Sequence, residues 1–72
     1  LIESVIFEDK KDVYIGLINM DQTYETIGRT VEITARGCQR AKRLSDNKKL
    51  KIKDGKISVG VFGFEMIKLT LA

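Results

Sequence analysis

The chain has no histidine, no proline and no tryptophan, and one cysteine in 72 residues. Without histidine it lacks the side chain that most often serves as general base or metal ligand near neutral pH. Its one thiol, Cys38, excludes an internal disulfide. Arg36 and Arg40 flank it, but a reactive cysteine usually also has a histidine or a second thiol, so Cys38 reads as inert. Without tryptophan there is less to stack on a sugar ring. No apolar run approaches the ~20 residues of a membrane helix, and no charged-then-apolar leader is present, so a soluble chain is expected. Calcium loops of the Asp-x-Asp-x-Asp-Gly kind are missing, and neither metal nor cofactor is expected. Gly60-Val61-Phe62-Gly63 has the spacing of a KH backbone clamp. That module needs flanking helices, and no window of eleven or more residues here keeps helical spacing.

Strand patterns fill the chain instead. The run at 13–20, Val-Tyr-Ile-Gly-Leu-Ile-Asn-Met, is apolar almost throughout and bounded by Asp12 and Asp21. It predicts a central strand buried on both faces, with Gly16 marking a bulge or a close backbone approach. Before it, residues 2–9 alternate, with Ile2, Ser4 and Ile6 opposite Val5 and Phe7, and the charged cluster at 8–12 forms a turn. A polar connection at 21–28 follows, with Tyr24 and Ile27 as anchors. Residues 29–35 place Val31, Ile33 and Ala35 inward and Thr30, Glu32 and Thr34 outward, the period-2 pattern of a sheet with one wet face. After Arg36-Gly37, a short basic strand offers Ala41 and Leu44 to the core, and Ser45-Asp46-Asn47-Lys48 turns the chain. Asp54-Gly55, between Leu50-Lys51-Ile52-Lys53 and Lys56-Ile57-Ser58-Val59, is a strong hairpin signal. The last strand, 64–71, should turn Ile67, Leu69 and Leu71 inward, with Glu65, Lys68 and Thr70 outside. Seven short strands at spacings of about eight to twelve residues predict one all-β domain over residues 1–72, an antiparallel β-sandwich or a small β-barrel.

The ten carboxylates sit mostly in turns or at outward positions, Glu32 and Glu65 included, so no catalytic residue is expected. Charge is unevenly spread: residues 36–56 hold nine basic and two acidic side chains, a net +7, and the remainder holds four basic and eight acidic. On a continuous strand Lys49, Lys51 and Lys53 share a face, a stripe able to contact a polyanion. The same stripe serves equally to protect a sheet edge from pairing. No aromatic lies within 36–56 to stack a base, so nucleic acid is the weaker reading. A basic module for nucleic acid or an acidic protein stays as the alternative function.

Asp12-Val13-Tyr14-Ile15-Gly16-Leu17-Ile18-Asn19-Met20 resembles the strand that opens the C-terminal β-sandwich of many glycoside hydrolases, where an apolar run ends in Asn. The segments at 41–44 and 49–53, then Asp54-Gly55-Lys56-Ile57 and Phe64-Glu65-Met66-Ile67-Lys68-Leu69-Thr70-Leu71, follow that domain's order. The α-galactosidase, α-mannosidase and α-amylase groups end in versions of it. The resemblance implies a non-catalytic accessory domain, the C-terminal part of a larger chain, that stabilises a preceding catalytic domain of a carbohydrate-active enzyme. The start at Leu1, without methionine, fits that expectation. Phe62 and Phe64 are then the candidate interdomain contacts, with closure of the sandwich's end as the competing role for both rings.

Overall fold

A computed structural model describes residues 2–19 and 29–71. The expected anchors Tyr24 and Ile27, and Met20 at the end of the apolar run, lie outside the described residues. Seven strands follow one another: β1 (Ile2–Asp9), β2 (Asp12–Asn19), β3 (Arg29–Thr34), β4 (Cys38–Arg43), β5 (Lys48–Leu50), β6 (Lys56–Val61) and β7 (Phe64–Leu71). They form two antiparallel sheets, β1-β2-β7-β4-β5 and β3-β6. The fold is an all-β sandwich with two layers of unequal width. None of the described residues belongs to a helix long and apolar enough to cross a membrane.

The core lies where the narrow ribbon covers the wide sheet. β6 alternates strictly, burying Ile57, Val59 and Val61 and exposing Lys56, Ser58 and Gly60. Its partners Ile33 and Val31 stand opposite Ile57 and Val59. Against them pack Ile15 and Leu17 of β2, Ile67 and Leu69 of β7 and Ala41 of β4. Full burial of each large aliphatic side chain contributes roughly 1.5–3 kcal/mol. Two strands cannot cover five, so among the described residues β1 has little over its inner face, and Ile6 remains 62% exposed. Between β1 and β3 an open apolar trough of ≈ 400 Å³ runs past Ile2, Ile6, Ile15, Val31 and Ile33.

Local chemistry explains the turns. Lys10-Lys11 joins β1 to β2 by a two-residue loop with Lys10 at φ 58°. Asp54 and Gly55 have φ of 53° and 73°, the two positive values of a type I′ turn. Lys53 and Lys56 exchange both backbone hydrogen bonds across that turn, at 2.8 and 3.0 Å. The N–H of Ala35 donates to the Gly55 carbonyl at 2.7 Å, tying the end of β3 to the same turn.

Several expectations are corrected. β2 is not buried on both faces: Ile15, Leu17 and Asn19 point inward, whereas Ile18 faces solvent, because none of the described strands forms a second layer over the outer side of the wide sheet. The middle strand is β7. Gly16 carries no bulge; its register runs regularly between Val5 and Met66, and what approaches it is side chains rather than backbone. The expected hairpin strand at 50–53 stops early: β5 ends at Leu50 on β4, and only Lys53 bridges to Lys56 as the chain passes to the other sheet. Glu65 turns inward and is 8% exposed, since it shares parity with Ile67 and Leu69, while Leu71 lies at the strand's far end and is exposed.

Candidate functional site

The outer face of the five-stranded sheet is built by parity. Because side chains alternate, each cross-strand row on that face takes one residue per strand. One row reads Glu3, Ile18, Phe64, and the next reads Val5, Gly16, Met66. The third crosses all five strands: Phe7, Tyr14, Lys68, Lys42, Lys49. Beyond it stand Asp9, Asp12, Thr70 and Arg40. An extra residue in β4, between Cys38 and Arg40, shifts the register there, so that Cys38 leans on the core and Arg40 faces outward.

The face therefore has an apolar corner and a basic one. Val5, Ile18 and Phe64 are exposed at the first, and the Phe64 ring lies over Gly16. Phe62, in the turn between β6 and β7, is 63% exposed, and Phe64 is 58% exposed. Asn19 holds this turn to the end of β2: its backbone N–H donates to the Gly63 carbonyl at 2.8 Å, and its buried Nδ2 donates to the Val61 carbonyl at 3.1 Å. Phe64 thus sits on paired backbone and Phe62 between two residues held by Asn19, yet both rings are exposed.

At the basic corner Arg40, Lys42, Lys49 and Lys68, with Ala41 and Thr70, line a cleft of ≈ 210 Å³. The Lys68 ammonium is 3.7 Å from Asp12 Oδ2 and 5.9 Å from the centre of the Tyr14 ring, within cation–π range. The Thr70 hydroxyl donates to Asp12 Oδ1 at 3.2 Å, so Asp12 braces Lys68 beside the ring.

The stripe Lys49, Lys51, Lys53 does not form. Lys49 belongs to the outer-face cleft, while Lys51 and Lys53 line a separate open groove of ≈ 620 Å³ with Arg36, Lys56, Glu32 and Asp54. The strand ends between them, so they lose a common face. Arg40 and Lys42 belong to the basic segment 36–56 and share a face of β4, whereas Phe7, Tyr14 and Lys68 are not singled out by the sequence, because each joins the patch only through register with a distant strand.

Little else in the described residues has reactive geometry. They hold no group of three His, Cys, Asp or Glu side chains placed to bind a metal. Buried Glu65 is an acceptor in a structural network: the Ser45 hydroxyl donates to its Oε1 at 3.0 Å and the Met66 N–H to its Oε2 at 3.1 Å. In the neighbouring turn, the Arg43 guanidinium grips Asp46 with two bonds of 3.1 and 2.8 Å. That bond, aided by the Lys48 backbone N–H, holds the Asp46 carboxyl down to about 2. Comparison with known proteins finds no matching family model, no matching curated protein and no matching solved structure.

Proposed function

We propose that this chain is a non-catalytic β-sandwich that docks on a larger catalytic domain through the apolar corner of its wide sheet. One observation carries this reading: Phe64, Ile18 and Val5 stand exposed in adjoining rows around Gly16, and Phe62 is exposed in the turn that leads into β7. Exposed apolar clusters of this kind mark surfaces that meet another protein surface. Phe62 follows the buried pair Val59 and Val61 directly, yet takes no part in their packing. The carbohydrate-active context rests on the resemblance of the 12–20 strand and the closing 64–71 strand to the C-terminal sandwich of glycoside hydrolases.

Sedimentation and solubility of the chain test the docking role. Phe62→Ser with Phe64→Ser should raise solubility and reduce self-association while circular dichroism stays unchanged. Loss of the folded signal would assign the rings to the core and remove the docking role. Hydrolysis of nitrophenyl glycosides by the chain alone would overturn the non-catalytic assignment.

A further inference from the structure

We infer that the other half of this face binds single-stranded nucleic acid along the row Phe7, Tyr14, Lys68, Lys42, Lys49. This goes beyond the docking reading and uses different side chains. Five neighbouring strands make the row about 19 Å long, at ~4.8 Å per strand. Its β1 end presents the Phe7 ring, 55% exposed, and its β5 end presents three successive lysines, with Arg40 beside them. Among the described residues, no carboxylate lies within ion-pair reach of Arg40, Lys42 or Lys49. Three cations are thus left for an external anion, while Lys68, braced by Asp12, links the basic half to Tyr14.

Charge complementarity alone would fit any polyanion; the rings on the same row select among them. A base offers a π-face to Phe7 while its phosphates reach the lysines, a pairing that favours a single strand over a sulfated glycan or an acidic peptide. The strands offer a broad face, with no helix among the described residues to enter a duplex groove, whereas unpaired bases can lie on it. The segment 36–56 lacks aromatics, and antiparallel register supplies them from β1 and β2.

Fluorescence anisotropy with a labelled 15-nucleotide oligo(dT) at 50 mM salt tests the assignment. Lys42→Gln with Lys49→Gln should weaken binding at least ~10-fold, and Lys51→Gln with Lys53→Gln less than about twofold. Phe7→Ala should weaken oligo(dT) about tenfold and leave heparin affinity unchanged. With four cations engaged, the log–log salt dependence should have a slope near about −3, at ~0.7 per phosphate. Should Phe7→Ala fail to fold, Phe7→Leu keeps the apolar bulk without the ring and serves the same test. Equal losses from the two lysine pairs would mean diffuse attraction and overturn the proposal. So would a neutral Phe7 substitution, or no binding at 50 mM salt. Phe62→Ser with Phe64→Ser should keep oligo(dT) affinity within about threefold, which separates this inference from the docking role.

Discussion

The ring of Phe64 lies over the bare α-carbon of Gly16: a Cβ built on Gly16 would stand 3.6 Å from Phe64 Cε1. That is ordinary van der Waals contact, and Gly16 does not have the positive φ that would require glycine. Gly16→Ala should therefore be accepted and should raise stability by about 0.5–1 kcal/mol, chiefly by restricting the unfolded chain. Chemical denaturation measures it. Marked destabilisation would mean that the ring cannot share the site with a methyl group.

Gly55 has the opposite character. At φ 73° any side chain is strained, and a Cβ there would meet Arg36 Cγ at 2.8 Å. Gly55→Val should destabilise by at least ~1–2 kcal/mol, the range for a left-handed non-glycine residue, with more for the β-branch. An unchanged unfolding midpoint would contradict the turn geometry.

Asn19 is the buried clamp between the sheets, donating from Nδ2 to the Val61 carbonyl. Asn19→Asp replaces that donor with an acceptor facing another acceptor. The expected loss is about 2–3 kcal/mol at pH 7. It should shrink under acid, because a protonated carboxyl can donate to the carbonyl again.

Ser45 satisfies one oxygen of Glu65. Ser45→Ala should cost about 1–2 kcal/mol, as for a lost bond to a charged, largely buried acceptor. In a Glu65→Gln background the cost should be smaller, and a double-mutant cycle reads the coupling.

Asp46 defines a pH window. Its folded pKa, about 2, lies below the unfolded value near ~3.9. The contribution of its pair with Arg43 is therefore complete above pH ~4 and is lost as pH falls toward about 2. Asp46→Asn should remove that portion of the acid sensitivity while leaving stability flat between pH 5 and 8. The pair is exposed, so the effect should be small. Equilibrium unfolding from pH 5 down to 2 checks it.

Local chemistry already determined much of this protein in its sequence. Alternation over β3 and β6 identified their inward residues, since successive side chains point to opposite faces whatever the partner strand. Asp54-Gly55 announced its turn because positive φ is a property of those two residues. Parity also placed Glu65 on the side of Ile67 and Leu69, and an expectation from polarity alone overrode that signal. The tertiary structure decided which strands are neighbours, and so which residues share a row. Pairing depends on ladder hydrogen bonds between segments as distant as β2 and β7, and on burial shared among all of them. Among the described residues, that non-local choice laid no strand over the outer face of the wide sheet, and it separated Lys49 from Lys51 and Lys53. It also set Phe7 and Tyr14 in line with Lys68, Lys42 and Lys49, which no local pattern in the chain encodes.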